Sequence, residues 1–277
     1  MSMLHLFALQ PLAAVNDAYH GHIRARPCPR HNALKSLTTQ LSATNGTVLI
    51  IGANTGPGPG AVDPMFKWLN SRTAAHLDKI FVEPMPNIFR ALESNIAAMP
   101  RATAINAAVS SVSGHQTMYC AGLANDSVKL VAMAESATAL NPMKWWTGTC
   151  SLARARLFNG YDFGAQNPLG SSTEAHQQHD ALITETKVKT LTARQLLAAL
   201  PSPPLYVQID AEGYDDEILK SILDKDNNSG LNPKIGVMFE HVLLTEPRFR
   251  AAFELVKHQG YTNQCQYTQN ILNMVNQ

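Results

Sequence analysis

The feature that most constrains the fold is a short apolar run that leads directly into a glycine-rich turn. Residues 48–60 read VLIIGANTGPGPG. Four consecutive apolar residues favour a strand that is buried on both faces, as in a parallel sheet. Gly52, Asn54 and Gly56 then allow a sharp turn that brings bare backbone close to a ligand. The segment predicts a strand and a nucleotide-type binding turn, although a plain structural loop has the same pattern.

An acidic residue follows the next predicted strand. Residues 79–82, KIFV, form the next strand candidate, and Glu83 comes directly after it. In a nucleotide-binding unit, a carboxylate at this position accepts hydrogen bonds from the two hydroxyls of a ribose. A glutamate at a strand end is otherwise a solvated cap. The place of Glu83 after a glycine-turn unit favours the ribose interpretation.

Composition describes an ordinary globular protein. The chain has 277 residues, of which 45% are hydrophobic and 16% charged, and its net charge is +1. This length suits a single doubly wound domain, and the charge gives no electrostatic reason to expect nucleic acid. No apolar run approaches the roughly 18 residues that a membrane span requires. A small-molecule partner, with no membrane span, is the prediction.

The cysteines and the N-terminus indicate a compartment. The four cysteines, Cys28, Cys120, Cys150 and Cys265, are scattered and show no CxxC spacing. That pattern argues against a zinc site and against a dense disulfide framework. The first residues are mildly apolar but lack a basic segment, which disfavours a signal peptide. The sequence therefore predicts a cytoplasmic protein.

Apolar patterns along the chain predict alternating strands and helices. Such alternation is typical of an α/β fold with a parallel sheet. After the first two strands, the predicted strands are residues 102–109, 205–209, 235–239, 261–267 and 270–275. The predicted helices are residues 32–41, 63–77, 86–98 and 193–200. We divide the chain into an N-terminal lead-in, 1–43, and one domain, 44–277, with an insertion at about 111–189.

The insertion is a candidate substrate lid or pocket wall, because long segments without regular structure are uncommon in compact domains. It contains Trp145 and Trp146, which would stack on a sugar or another flat substrate, or else form a small core of their own. Ser151 and Arg154 are candidates to hydrogen-bond a substrate hydroxyl or carboxylate, although simple exposure is the default for an arginine.

Five motifs follow one another in a recognisable order. They are IGANTG, VEPMPNIFRALESN, NAAVS, IDAEGYDDEIL and FEH. Together they resemble the FkbM family of S-adenosylmethionine-dependent methyltransferases, from about residue 47 to the C-terminus. The resemblance implies a Rossmann-like methyltransferase fold with a mostly parallel seven-stranded sheet, an antiparallel last strand and helices on both faces. It also implies S-adenosylmethionine as the cofactor and O-methylation of a hydroxyl on a small molecule or sugar.

The resemblance further assigns residues to parts of the cofactor and substrate. The cofactor's methionine and ribose would contact Gly52, Asn54, Gly56 and Glu83, and its adenine Asn106 and Ala107. The sulfonium and the substrate would face Asp210, Glu212 and Gly213, with Glu240 and His241 across from them.

An acceptor hydroxyl is a poor nucleophile until a base removes its proton. His241 is our first candidate, because an unperturbed histidine titrates near neutrality, and a structural histidine is the alternative. Asp210 and Glu212 are two residues apart, so on an extended segment their side chains share one side. Three roles are open for these two carboxylates: they would bind a cation, share a proton as an acid/base pair, or orient the cofactor and cap a helix near Asp215. We assign no metal to them.

One position departs from the pattern of such families. They commonly have an acidic residue two positions before the first glycine of the turn, where this chain has Ile50. The glycine–proline run after Gly56 is also unusual. These departures support a second interpretation, a methyltransferase-like binding protein that has lost catalysis. A nicotinamide-dependent oxidoreductase is a third, but no Tyr-x-x-x-Lys pattern accompanies the turn.

Overall fold

The computed structural model describes residues 30–57, 64–121, 150–154, 183–224, 233–240, 244–267 and 270–275. The strands are β1 (Thr47–Ile51), β2 (Asp78–Val82), β3 (Ala102–Ile105), β4 (Ala108–Ser110), β5 (Gly114–Ala121), β6 (Cys150–Ser151), β7 (Ile183–Thr192), β8 (Pro204–Ile209), β9 (Gly236–Glu240), β10 (Tyr261–Tyr267) and β11 (Asn270–Val275). The helices are α1 (Arg30–Ser42), α2 (Pro64–Leu69), α3 (Pro86–Ile96), α4 (Ala193–Ala198), α5 (Asp215–Leu223) and α6 (Glu246–His258).

Seven strands form the central sheet, in the order β10-β11-β9-β8-β1-β2-β3. The strands from β9 to β3 pair in parallel. The last strand, β11, runs antiparallel to both of its neighbours, β9 and β10. This is the mostly parallel seven-stranded sheet with an antiparallel last strand that the sequence predicted. The Rossmann-like methyltransferase fold class is confirmed.

Helices cover both faces of this sheet. Successive side chains of a strand point to opposite faces. Leu49 and Ile51 of β1 accordingly pack with α4, α5 and α6, whereas Val48 and Ile50 pack with α1, α2 and α3. Both layers are buried, so β1 lies at the centre of the molecule and its carboxyl end is held rigidly.

The predicted helix 63–77 is shorter in the structure. It divides into α2 and a 3₁₀ turn, Arg72–Ala74. Between the two pieces, the hydroxyl groups of Ser71 and Thr73 lie 2.7 Å apart and form a hydrogen bond. Serine and threonine compete with helical hydrogen bonding through such local contacts, which explains the interruption.

The predicted strand 102–109 is two strands in different sheets. β3 belongs to the central sheet, and β4 pairs with β7 in a second sheet of order β4-β7-β5-β6. The side-chain amide of Asn106, between them, donates to the carbonyls of Glu83 and Pro84 at 2.9 and 3.1 Å. This anchorage turns the chain out of the central sheet.

The described part of the predicted insertion contains regular structure, contrary to our expectation of an irregular segment. β5, β6 and most of β7 lie within it, and β5 pairs antiparallel with both β6 and β7. A disulfide joins Cys120 of β5 to Cys150 of β6. Disulfides are typical of oxidising compartments, so this bond counts against the predicted cytoplasmic location.

Among the described helices, none has both the length and the apolar character to cross a membrane.

Candidate active site

A cavity opens at the carboxyl ends of β1, β2 and β8. It holds about 730 Å³ of empty space, counting its open mouth. The chain runs from β1 to β2 on one side and returns as β8 on the other, so the cavity lies where the strand order reverses. Open α/β sheets bind their ligands at this point. The cavity is therefore the candidate active site.

The glycine turn after β1 forms one wall. Gly52 has φ 77°, and a Cβ atom there would lie 1.7 Å from the carbonyl oxygen of Asp210. Asn54 also has a left-handed φ, 50°, and lines the cavity with Gly52. A Cβ atom on Gly56 would lie 2.6 Å from a methyl carbon of Leu92 in α3. Gly56 thus serves helix packing, and it is not among the described lining residues.

Glu83 lies in the cavity wall at the end of β2. Its side chain is buried, and its two carboxylate oxygens accept hydrogen bonds from the backbone N–H groups of Asn54 and Met85, at 3.0 and 2.9 Å. Burial raises the pKa of Glu83 to about 7. Each carboxylate oxygen has two lone pairs, so both retain capacity for a ligand hydroxyl. Glu83 fastens the glycine turn to the end of β2 and faces the cavity.

The opposite wall is acidic. Asp210 and Glu212 line the cavity after β8. The segment is a turn and not the predicted extended segment, because Glu212 has φ 50° and Gly213 has φ 85°. One carboxylate oxygen of each comes together with one of Glu240, at the end of β9, all within 4.8 Å of one another. We call Asp210, Glu212 and Glu240 the acidic cluster.

The electrostatic environment of the acidic cluster disfavours ionisation. Burial raises the pKa of Glu212 to about 8, and the carboxylates of Asp210 and Asp215 add to the shift. Burial raises the pKa of Glu240 well above its ordinary value, with contributions from the same neighbours and from Glu212. The cluster is an array of like charges, whose members suppress one another's ionisation.

Asp215 holds the acidic wall in place. It is fully buried at the start of α5. Its carboxylate accepts hydrogen bonds from the backbone N–H groups of Ala211, Gly213 and Glu240, at 3.2, 3.1 and 3.3 Å. It therefore joins the end of β8, the following turn and the end of β9.

Arg248 fixes the same turn from the side of α6. Its guanidinium pairs with Asp216 and donates to the carbonyl of Gly213 at 3.2 Å.

The structure brings some of the remaining predicted residues to the cavity. Ala107 lines it, whereas Asn106 bonds the carbonyls behind Glu83 and is not among the described lining residues. Ser151 is buried in the second sheet, and Arg154 pairs with Glu185 at 3.2 Å over the ring of Tyr119. Neither Ser151 nor Arg154 is among the lining residues. His241, Trp145 and Trp146 lie outside the described residues.

Sequence reasoning missed an apolar wall that the second sheet supplies. Met118 of β5, Cys150 of β6 and Leu152 line the cavity and belong to one apolar cluster with Met85 and Ile88, which also line it. The mostly apolar run MYCA at the end of β5 is the signal that could have found Met118. The prediction that the insertion supplies a pocket wall agrees with these described residues.

Ile50 lies away from the cavity. It is buried in the core on the face of the sheet opposite to Ile51, and Ile51 lines the cavity. The missing acidic residue at this position therefore removes no side chain from the described cavity wall. The interpretation of lost catalysis gains no support from Ile50.

The charged side chains that line the cavity, among the described residues, are all acidic. The described residues that line it include three carboxylates, those of Glu83, Asp210 and Glu212, and neither lysine nor arginine. Such a wall attracts a cationic ligand and repels an anionic one.

Comparison with known proteins gives little guidance. No protein-family model and no curated protein matches this sequence. Among solved structures, the chain is similar to the crystal structure of precorrin-6y C5,15-methyltransferase from Geobacter metallireducens GS-15, at 9% identity and a TM-score of 0.36. The match covers 90% of this chain and 91% of that one. A superposition this poor supports no inference about function.

Proposed function

We propose that the protein is an S-adenosylmethionine-dependent methyltransferase of the FkbM type that methylates a hydroxyl of a small molecule or sugar. The observation that carries the proposal is the acidic cavity at the point where the strand order reverses. S-adenosylmethionine is a net cation, with a sulfonium and an ammonium against one carboxylate. A nicotinamide dinucleotide carries two phosphates, which the same carboxylates would repel.

The residues present fit the cofactor. Gly52 and Asn54 offer close approach to backbone, and Glu83 offers acceptors for the ribose hydroxyls. Ala107 also lines the cavity, and the resemblance assigns it to the adenine. Asp210 and Glu212 are acidic, and a sulfonium and an ammonium beside them would favour their ionised forms.

Methyl transfer requires alignment more than it requires functional groups. When bound, the cofactor supplies a methyl group that leaves by in-line displacement. The chain has to position the acceptor and exclude water, and Met85, Met118 and Leu152 supply an apolar wall for this. The acceptor hydroxyl must also lose its proton. His241, Asp210 and Glu212 are the candidates to accept it.

Calorimetric titration with S-adenosylmethionine, S-adenosylhomocysteine and NAD tests the proposal. We expect micromolar binding of both sulfur ligands and none of NAD. Glu83→Ala should weaken binding of both sulfur ligands by about 10- to 100-fold, because a charged hydrogen bond contributes about 1.5–3 kcal/mol. Glu93→Ala, on the exposed side of α3, is the matched control. Folded protein that binds neither sulfur ligand would refute the cofactor assignment.

The affinity for the ribose should depend on pH. With the pKa of Glu83 at about 7, about a tenth of this carboxyl is ionised at pH 6 and about nine tenths at pH 8. The ionised form accepts hydrogen bonds from both hydroxyls, so affinity rises with pH. We expect adenosine, which does not titrate in this range, to bind about tenfold more tightly at pH 8. In Glu83→Gln the change should disappear, and an unchanged pH dependence there would show that another group causes it.

A further inference from the structure

We propose that Asp210, Glu212 and Glu240 form a binding site for one divalent cation that prefers oxygen ligands, such as Mg²⁺, Mn²⁺ or Ca²⁺. The first observation is their geometry. Three carboxylates from the ends of two adjacent strands each bring one oxygen within 4.8 Å of the others. Two oxygens on opposite sides of a Ca²⁺ ion, at about 2.4 Å from it, lie about 4.8 Å apart. One ion can therefore contact all three with small side-chain movements.

The second observation is an unsatisfied oxygen. Glu240 is only 9% exposed, and its Oε2 atom has no hydrogen-bond partner among the described residues. Buried polar atoms are nearly always satisfied, and an orphaned carboxylate oxygen is especially costly. The partner that this atom lacks must be able to interact with an acceptor, and a cation does so.

Two neighbouring acidic residues, Asp215 and Asp216, have partners of their own and are not part of the acidic cluster. Asp215 is satisfied by three backbone N–H groups, and Asp216 pairs with Arg248. Arg248 also donates to the carbonyl of Gly213, so its guanidinium serves the turn beside the cluster. Arg248 thus compensates Asp216, whereas the orphaned Oε2 atom of Glu240 in the acidic cluster remains for a bound ion.

The cation would have access from solvent. Asp210 and Glu212 line the open cavity, whereas Glu240 lies behind them. An ion held there would fill part of its coordination shell with protein oxygens and keep open positions toward the cavity. Each of the three residues contributes one oxygen, so the second oxygen of Glu212 remains for another contact.

The role of the cation rests on the proposed function. A cation at the cavity wall would bind an acceptor hydroxyl, orient its oxygen and lower its pKa, so that its proton passes to water more readily. The cation would also confer a preference for acceptors with two adjacent hydroxyls, which chelate one ion. The cavity would remain acidic, because one divalent cation does not balance four carboxylates, those of the cluster and of Glu83.

Manganese binding tests the site directly. The full chain is stripped with EDTA, desalted and titrated with MnCl₂, while the electron paramagnetic resonance signal of free Mn²⁺ is followed. MgCl₂ and CaCl₂ are titrated by calorimetry. We expect one saturable site and an increase in the melting temperature on saturation. Glu240→Gln should weaken binding at least tenfold while the protein stays folded, since the amide keeps the shape and removes the charge.

Two controls make the result decisive. Glu93→Gln removes an exposed carboxylate outside the cluster and should leave cation binding unchanged. Asp210→Asn, on the other strand, should weaken binding as Glu240→Gln does. Wild-type protein that melts cooperatively but shows no saturable binding up to millimolar Mn²⁺ would overturn the proposal. So would a Glu240→Gln variant that binds as wild type does.

Titration with S-adenosylmethionine, with and without saturating Mn²⁺, separates the two proposals. Cation binding without cofactor binding would support the cation site and contradict the proposed function. Cofactor binding without cation binding would support the proposed function and contradict the cation site.

Discussion

Replacing Gly52 with alanine is expected to destabilise the protein by more than about 4 kcal/mol, or to prevent folding. The new Cβ would lie 1.7 Å from the carbonyl oxygen of Asp210, and the atoms in the way are backbone. The φ of 77° adds strain for any side chain. Because β1 and β8 are neighbours in the sheet, relief requires their carboxyl ends to separate. Urea unfolding, followed by circular dichroism, measures the change.

Gly114→Ala is the matched control for this prediction. Gly114 also has a left-handed φ, 126°, but a Cβ there would meet nothing within 4 Å. It should cost only the backbone strain, about 1–2 kcal/mol. If both variants lost the same stability, the close contact between Gly52 and Asp210 would not be the cause. If the Gly52→Ala variant folds, it should also bind S-adenosylmethionine more weakly, because Gly52 and Asp210 both line the cavity.

The fold could be predicted from the sequence because its main signals are local. The apolar run before Gly52 and the strand before Glu83 are patterns of a few residues. The order of the five motifs then indicated the family and its seven-stranded sheet. The break at Asn106 could not be predicted in this way. Residues 102–109 are mostly small or apolar, and what divides them into two strands is the hydrogen bonding of the Asn106 side chain to carbonyls more than twenty residues earlier.

The candidate site was predictable in its residue types and not in its arrangement. Asp210 and Glu212 were predicted together, and Glu240 was placed across from them by the resemblance. Their approach depends on the pairing of β8 with β9, which no short segment encodes. The bond between Cys120 and Cys150 was missed for the same reason, because cysteine spacing does not determine pairing. The apolar wall of the cavity, formed by Met118, Cys150 and Leu152, depends on the second sheet, to which this disulfide belongs.

Asp215→Ala is the second large effect, expected at about 3–5 kcal/mol. The change leaves the backbone N–H groups of Ala211, Gly213 and Glu240 without their acceptor, and an unsatisfied buried donor costs about 1–3 kcal/mol. Asp215→Asn should cost less, about 1–3 kcal/mol. Its amide oxygen can still accept from Ala211 and Glu240, which share Oδ1, but its amide nitrogen then faces the N–H of Gly213.

The same change tests whether Asp215 assembles the acidic wall. Because Asp215 ties the end of β8 to the end of β9, its loss should let Asp210 and Glu240 move apart. We therefore expect folded Asp215→Asn to bind Mn²⁺ more weakly than wild type, although Asp215 lies outside the cluster. Glu217→Ala removes an exposed carboxylate in the same first turn of α5, so it should cost less stability than Asp215→Asn and leave Mn²⁺ affinity unchanged. Equal losses in Glu217→Ala and Asp215→Asn would mean that helix charge, and not the bridge between strands, is responsible.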